Sequence, residues 1–307
     1  MSIKVMAAIS PEALDTVFKL RHEVFVEQGA YFAPREDKRL VDRFDAFDTS
    51  VNFMAFVDDI PIGALRLTIN SCVGIPADDF YNFHQHIPIE ETLVISVGQF
   101  CIKDKYRGNL PILNSLMMMA FYWAISKQGT HIVAPFNPPL QALMRRCGFK
   151  KVSEIIDVHG VNILPMAIDL KKVRDSFTIF SQKQNIVFFM ENFFRQYFVA
   201  GETIIKQNEQ GDAAYFIVEG KAKVVIGDMD KPETLKTVNH LNKGELFGEI
   251  ALLCDSDRTA NVIAEEDTQV MVLERNIFLA QVKKDPEKLQ FILDLLGKRF
   301  ANMTRHL

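Results

Sequence analysis

The amino-acid sequence predicts an α+β domain, a mixed sheet with flanking helices, over residues 1–172. An all-β jelly roll or barrel with flanking helices is predicted to follow over 198–307. The length of 307 residues corresponds to about two domains at roughly 150 residues each. Strand-like and helix-like patterns alternate in the first part, whereas short β runs punctuated by glycine follow residue 198. Phenylalanines at helical spacing predict a helical linker over 173–197.

The elements of the first domain are predicted from their end signals. Ser10 and Pro11 mark the first helix as N-cap and first helical residue. Strands are expected at 53–57 and 64–68 around a turn, and again at 93–102. The apolar run 110–125 is predicted to be a buried helix, because its roughly 16 residues fall short of the roughly 20 that span a bilayer. A strand and a short helix follow, at 130–135 and 139–146.

Composition limits the classes of function. The net charge of -4 argues against a protein that binds nucleic acid through phosphates. Four widely spaced cysteines without a CxxC pair favour a reducing cytoplasm. His84 and His86 lack a third ligand, so no metal site is expected. We therefore expect a cytoplasmic protein with no nucleic-acid partner and no membrane span, and a homodimer is an assembly that the sequence permits.

One stretch of the second domain, residues 244–262, has the pattern of an anion site. Gly248 lets the backbone approach a ligand closely, and the residues after it can open a helical turn whose N–H groups bind an anion. Arg258 can return to the same place and pair bidentately with a phosphate. Glu249 would be repelled by that phosphate unless it accepts hydrogen bonds from a hydroxyl, such as that of a ribose. The pattern therefore outlines a compact ribose phosphate with one negative charge.

This stretch resembles the phosphate-binding cassette of cyclic nucleotide-binding domains, and the resemblance extends over about 179–300. It implies six ligand contacts, at Gly248, Glu249, Ile250, Ala251, Arg258 and Thr259. In that family Glu249 would bind the ribose 2′-hydroxyl, Arg258 the cyclic phosphate, and Thr259 would lie beside the base. The expected ligand is cAMP or cGMP, and we favour cAMP because bacterial members often bind it. Asp257 replaces the usual proline, and its carboxylate is expected to weaken affinity.

The first domain carries short motifs in a fixed order. Arg21 and Phe25 lie on a helix, an acidic pair follows, and an Arg-Leu strand comes next at residue 66. A strand through Phe100 then leads into the basic loop 105–110, where a helix N-terminus suits a diphosphate. In this order the motifs resemble the GNAT acyltransferase fold, and more closely its acyl-homoserine lactone synthase and N-acyl amino acid synthase branch. The resemblance covers about residues 5–172.

The resemblance implies an acyl thioester of coenzyme A or of an acyl carrier protein as donor. The donor would contact the strand and loop at Phe100, Cys101, Ile102, Lys105, Arg107, Gly108, Asn109 and Leu110. Catalysis would position the thioester beside an amine, remove a proton and stabilise an oxyanion. The branch implies four residues for this work, Arg21, Asp45, Asp48 and Arg66. The same four side chains could equally form a structural ion-pair network, and the general base is unassigned.

The sequence also departs from the acyltransferase pattern. Lys105 and Leu110 replace the usual ends of the loop, and Met144 stands where a tyrosine often acts as general acid. The branch's Glu and Arg on the fourth strand are replaced near Ser96 and Gln99.

The leading hypothesis is a cyclic nucleotide-regulated N-acyltransferase that acylates a small amine or a protein lysine. The alternative is a cyclic nucleotide sensor whose GNAT-like domain is inactive and serves as a ligand-binding or protein-interaction module. A third interpretation keeps the acyltransferase and loses nucleotide binding.

Overall fold

The chain divides between Arg174 and Asp175, close to the predicted boundary at 172. The first unit is Ile3–Arg174 and the second contains Asp175–Leu307. The computed structural model describes residues 3–87, 93–158, 160–183 and 193–286, together with 187, 190, 289–290, 293–294 and 297.

The described part of the first unit contains eight strands and three α-helices. In chain order these are β1 (Ile3–Ala7), α1 (Pro11–His22), β2 (Ser50–Val57), β3 (Ile60–Ile69), β4 (Val94–Ile102), α2 (Leu110–Ser126), β5 (His131–Phe136), α3 (Gln141–Arg146), β6 (Lys150–Lys151), β7 (Ile156–Val158) and β8 (Val161–Asp169). The strands of this unit run in the order β1-β2-β3-β4-β5-β8-β6, and β7 pairs with β8. All neighbours are antiparallel except β4 and β5, which are parallel. The predicted mixed α+β sheet is confirmed.

Local chemistry explains the main elements. The Ser10 side chain caps α1 by accepting a hydrogen bond from the Ala13 amide at 3.2 Å, as predicted. Asp58 and Asp59 make the tight turn between β2 and β3, both with positive φ. The apolar helix α2 is buried along most of its length, as expected. Among the described residues, no helix combines the length and apolar character that crossing a bilayer requires.

A β-bulge interrupts β4. Arg66 of β3 faces Gly98, whereas Ala64, two residues earlier on β3, faces Cys101, so β4 carries one extra residue. Gln99 takes the extra position with a positive φ of 50°. The parallel pairing of β4 with β5 is described only from Val94 to Ser96. Beyond Ser96, before the bulge is reached, the structure describes no further pairing between the two strands.

The described part of the second unit contains eight strands and two α-helices. They are α4 (Ser176–Lys183), β9 (Phe194–Phe198), β10 (Thr203–Ile205), β11 (Ala213–Glu219), β12 (Ala222–Ile226), β13 (Lys236–Leu241), β14 (Leu246–Phe247), β15 (Asn261–Ala264), β16 (Thr268–Glu274) and α5 (Arg275–Lys284). Within this unit one sheet has the order β14-β11-β16-β9 and the other β10-β15-β12-β13. Residues of both sheets, such as Ile217, Val262 and Val270, share one apolar core. The predicted β-rich roll is confirmed.

The predicted helical linker needs a correction. Residues 176–183 are helical, but 194–198 form a strand that pairs with β16. Several linker residues, 184–186, 188–189 and 191–192, lie outside the described part. The phenylalanine spacing favoured a helix, whereas antiparallel pairing with Val270 and its neighbours determines the backbone here.

Candidate functional sites

The phosphate cassette is built around one left-handed residue. Gly248 has a φ of +70° and precedes the 3-10 turn Glu249–Leu252. A Cβ at this position would lie 2.8 Å from Arg258 Nη1, so the turn requires glycine for both backbone and space. The turn and the segment after it line an open cavity of about 680 Å³, which we call the cassette cavity. All six residues of the predicted nucleotide site line it, namely Gly248, Glu249, Ile250, Ala251, Arg258 and Thr259.

Arg258 is held firmly in place. Its guanidinium donates to the Gly248 carbonyl at 3.0 Å and to the Ala213 carbonyl at 2.7 Å. It also lies over the Tyr215 ring, 5.8 Å from the centroid. The Arg258 amide donates to the Glu209 carbonyl at 2.8 Å, which fixes the backbone. The cation thus stands on the cavity wall, beside the turn, where the sequence predicts a phosphate.

The other cassette residues differ in exposure. Glu249 is buried at 5% exposure, and Ile250 is 46% exposed. Thr259 is exposed on the cavity wall, where a base could reach it. Asp257 is also exposed on that wall, so the carboxylate expected to weaken affinity does lie at the site.

Two arginines and two aspartates form a buried network in the first unit. Arg21 donates through Nη1 to both Asp45 oxygens, at 3.0 and 2.9 Å, and through Nη2 to Asn52. Arg66 binds Asp42 bidentately at 2.6 and 2.7 Å and also reaches Asp45 at 3.0 Å. The Arg21 and Asp45 side chains are 0% and 1% exposed, so this pair lies beneath the surface of the unit. The Asp42 side chain is 36% exposed, so the outer pair reaches the surface of a cavity.

Three of the four predicted catalytic residues, Arg21, Asp45 and Arg66, lie together in this network, and the network also contains Asp42. Asp48 is exposed, and within the described part of the chain it joins no hydrogen bond or ion pair. Asp42, which the sequence analysis missed, takes its place. Asp42 caps the 3-10 turn Arg43–Ala46 and forms a capping box with Asp45. In the sequence, the three-residue spacing of Asp42 and Asp45 is the pattern of a capping box and could have indicated this role.

Asp42 gives a testable pH dependence. Burial alone would raise the pKa of Asp42, but hydrogen bonds and charge from Arg66 bring it below the ordinary value. A lowered folded-state pKa contributes stability above the unfolded value, about 3.9, which is lost as pH falls through the folded value. Urea unfolding at about pH 6 and about pH 3 should therefore show a smaller loss in Asp42→Asn than in the wild type. Asp48→Asn is the matched control, and an equal loss in all three proteins would contradict the assignment.

A large cavity opens where β4 and β5 part, and we call it the wedge cavity. Its volume is about 1780 Å³, and its walls are mostly apolar. Polar groups are contributed by Asp42, Arg43, Arg66, Ser96 and Gln99, among others. Gln99 Nε2 donates to Asp42 Oδ2 at 3.1 Å, so the bulge residue is tied to the ion-pair network. The cavity therefore combines room for an apolar chain with a compact polar spot.

The predicted donor strand reaches this cavity at Phe100, and the predicted donor loop follows the end of the strand. Phe100 lines the wedge cavity, and the half-buried Ile102 accepts through its carbonyl from Arg107 Nε at 3.2 Å. Gly108 has a φ of +82° and lies just before α2. Asn109 is the N-cap of α2, and its Oδ1 accepts from the Ile112 amide at 3.3 Å. Strand and loop are thus contiguous.

The loop offers only part of the expected phosphate cradle. The Asn109 amide already donates to the Tyr106 carbonyl at 3.3 Å, and Pro111 has no N–H. Arg107 pairs with Asp104 at 2.7 Å, and Lys105 is exposed, 5.6 Å from the Tyr106 ring centroid. Exposed Leu110 begins the helix, so the amides of Gly108 and Leu110 are the main candidates for phosphate oxygens.

The Cys101 side chain packs with α1 residues in a buried cluster, so only its backbone is available to a donor. Burial raises the pKa of Cys101 to about 11. In the folded protein a maleimide near neutral pH should therefore label the exposed Cys72 and Cys254, while Cys101 reacts only after unfolding. Mass spectrometry of peptides labelled with and without urea measures this. Equally fast labelling of Cys101 and Cys72 in the folded protein would contradict its burial.

The described residues offer no metal site. No group of three or more His, Cys, Asp or Glu side chains is placed to hold an ion in that part of the chain. The ring of His86 accepts or donates a hydrogen bond with Tyr81 at 2.5 Å, and His84 lies 4.0 Å from Asp78. Both imidazoles thus have local partners in a loop.

Two family models match the chain, one in each unit. Residues 16–169, just over half of the chain, match a family described as N-acyl amino acid synthase FeeM. Residues 195–285 match the cyclic nucleotide-binding domain.

Individual relatives cover only part of the chain. Human cGMP-dependent protein kinase 2 is 41% identical over 86 residues, which is 27% of this chain and 11% of the kinase. The cyclic AMP receptor protein of Thermus thermophilus is 33% identical over 107 residues, which is 35% of this chain and 49% of the receptor. The chain thus spans about a tenth of the first relative's length and about half of the second's.

Solved structures are similar to each unit. FeeM, an N-acyl amino acid synthase from uncultured soil microbes, is 16% identical with a TM-score of 0.48, over 56% of this chain and 93% of FeeM. The catabolite activator protein of Thermus thermophilus is 26% identical with a TM-score of 0.34, over 43% of this chain and 56% of that protein.

Proposed function

Because this chain belongs to the family described as N-acyl amino acid synthase FeeM and carries a cyclic nucleotide-binding domain, we propose that it is an N-acyltransferase whose activity changes when a cyclic nucleotide binds. The donor is an acyl thioester of coenzyme A or of an acyl carrier protein. The acceptor is a small amine, with an amino acid as the first candidate and a protein lysine as the second. The reaction takes place in the cytoplasm, as the cysteine spacing predicts.

The observation that supports acyl transfer is the wedge cavity. Its apolar walls suit an acyl chain, and the polar spot at Asp42 and Arg66 suits the polar end of an acceptor. The backbone of β4 beyond Ser96 can pair with the amides of an extended pantetheine arm, because the described pairing with β5 ends there. The donor phosphates would then lie near Gly108 and Leu110, at the start of α2.

The observation that supports nucleotide binding is the cassette cavity. Arg258 supplies the positive charge for a cyclic phosphate, and the amides of the turn after Gly248 supply further donors. The buried Glu249 carboxylate would accept from the ribose hydroxyl. For this binding to regulate catalysis, the nucleotide must bind two states of the protein with different affinity.

Thermal unfolding tests both halves of the proposal. cAMP, cGMP, acetyl-CoA and lauroyl-CoA are added singly and in pairs to wild type and Arg258→Ala. A ligand at about 100 times its Kd should stabilise the folded state by about 2.7 kcal/mol. We expect a nucleotide and a thioester each to raise the melting temperature, and only the nucleotide effect to vanish in Arg258→Ala. A nucleotide shift of equal size in both proteins would contradict the assignment of Arg258.

A transfer assay then tests catalysis and its regulation. Lauroyl-CoA and a lauroyl acyl carrier protein serve as donors, with a panel of amino acids and a lysine-containing peptide as acceptors. Amide formation that changes on addition of cAMP or cGMP supports the proposal. Binding of thioester without transfer to any acceptor would overturn it.

That second outcome belongs to the alternative function, a nucleotide sensor with an inactive GNAT-like domain. Two observations favour it. Met144, at the position of the expected tyrosine acid, is fully buried. The lowered pKa of Asp42 makes this carboxylate a poor general base.

A further inference from the structure

We propose that the Ser96 hydroxyl donates the hydrogen bond that holds the carbonyl oxygen of the acyl thioester in the wedge cavity. The inference deepens the proposed function and rests on it, because it assigns a residue to the acyl group of the same reaction. The inference starts from the Ser96 hydroxyl, a buried polar group whose hydrogen bonds are not satisfied within the described part of the chain.

Ser96 Oγ is buried and has no hydrogen-bond partner among the residues that the structure describes, and the residue is 2% exposed. Its neighbour across the sheet, Thr68, is already engaged, because Thr68 Oγ1 and Ser50 Oγ are 2.9 Å apart. A buried hydroxyl without a partner has given up its bonds to water without replacement, which costs stability. Such a group in a cavity wall points to a ligand that completes it.

The position of Ser96 in the sheet agrees with a role at the reacting end of the donor. Ser96 is the last β4 residue described as paired with β5, opposite Val133. Ser96 pairs with Thr68 and Gly98 pairs with Arg66, so the two β4 residues share the sheet face of Arg66. A Cβ on Gly98 would meet no atom of the described residues within 4 Å, which leaves open space beside the hydroxyl.

The direction of β4 sets which part of the donor lies there. The strand rises about 3.3 Å per residue, so Ser96 and Ile102 are about 20 Å apart along it. A donor whose phosphates lie near the loop after Ile102 and whose arm follows β4 backwards would bring its thioester towards Ser96. The carbonyl oxygen of the thioester is then within reach of the Ser96 hydroxyl, which can donate a hydrogen bond to it. The acceptor amine would enter near the Asp42 carboxylate on the same cavity, which pairs with Arg66 and attracts a protonated amine before it loses its proton and attacks.

In the reaction the amine nitrogen forms a bond to the carbonyl carbon, and the carbonyl electron pair moves onto oxygen. The Ser96 O–H bond stays intact and its hydrogen bond to that oxygen strengthens as charge develops. When the intermediate collapses, the C–S bond breaks, its electron pair leaves with sulfur, and one amine proton ends on the thiol. The products are an amide and a free thiol.

The test compares Ser96→Ala with Ser96→Thr, which keeps a hydroxyl. Removing an unpartnered hydroxyl should leave the melting temperature unchanged or higher, while kcat falls by about tenfold to a hundredfold. Ser96→Thr should restore part of the rate. A lauroyl thioester labelled with ¹³C at the carbonyl gives a readout without turnover, because the hydrogen bond shifts its resonance in wild type and Ser96→Ala abolishes that shift.

Ser50→Ala is the matched control, since Ser50 stands on the same sheet face with a satisfied hydroxyl. We expect it to lower the melting temperature and leave kcat and the carbonyl resonance as in wild type. Equal kcat and equal resonance in wild type and Ser96→Ala would overturn the assignment of Ser96 and leave the proposed function standing. If the wild-type protein binds the labelled thioester but does not transfer the acyl group, the proposed function is overturned. The comparison of the carbonyl resonance between wild type and Ser96→Ala then still tests the role of Ser96. A wild type that binds no thioester overturns both.

Discussion

Arg66→Ala is expected to destabilise the protein by about 3–5 kcal/mol, because it leaves Asp42 without its cation and removes one of the two arginines that pair with the buried Asp45. Arg66 is 1% exposed and binds Asp42 bidentately, and it also reaches Asp45, whose side chain is 1% exposed. A buried carboxylate that loses a partner keeps its desolvation penalty and loses the compensating attraction. Chemical denaturation of the wild type and the variant measures the difference in unfolding free energy.

Arg43→Ala is the control for this prediction. Arg43 also pairs with an aspartate on the same cavity, but its side chain and that of Asp79 are 65% and 59% exposed. Solvent screening limits such a pair to about 1 kcal/mol or less. If the two variants lost equal stability, the network around Arg66 would not be the buried anchor that the geometry indicates.

Gly248→Ala is expected to weaken cyclic nucleotide binding by at least about a hundredfold, which corresponds to about 2.7 kcal/mol. The new methyl group would lie 2.8 Å from Arg258 Nη1 and 3.3 Å from the Ala213 carbonyl oxygen. Arg258 would have to move away from the position at which we propose that it binds the phosphate. The positive φ of +70° adds backbone strain that alanine tolerates poorly. Isothermal titration with cAMP and cGMP measures the loss.

Gly244→Ala separates strain from contact. Gly244 has a φ of +92°, but a Cβ there would meet no atom within 4 Å in the described part of the chain, and the residue does not line the cassette cavity. This variant should unfold at a lower temperature and still bind the nucleotide with nearly the wild-type Kd. Comparable loss of binding in both variants would show that backbone strain, and not the position of Arg258, controls affinity.

The sequence was informative where function and local structure share a residue. Gly248 and Arg258 build the turn and are also the residues predicted to serve the ligand, and both line the cavity that the structure contains there. The capped start of α1 and the buried helix α2 follow from single residues and from apolar length. For these elements, tertiary contacts reinforce the local preference.

Other features depend on partners that are distant in sequence. Asp42 joins Arg66 only because a short 3-10 turn is capped at that point, whereas Asp48 shares its residue type and points to solvent. The bulge at Gln99 places a glutamine at positive φ, which no local propensity favours. The strand at 194–198 exists because β16 pairs with it, and spacing between phenylalanines carries no information on that partner.

The bulge also changes how β4 must be compared with other sequences. In an unbroken strand Ser96, Gly98 and Phe100 would share one face, and Cys101 would lie on the other. The extra residue instead gives Cys101 the face of Ala64, which is also the face of Ser96. The face that carries even-numbered residues in 94–98 therefore carries the odd-numbered residue in 101–102. An alignment of this strand without a gap to a strand that lacks the bulge would therefore exchange the two sheet faces on one side of Gln99.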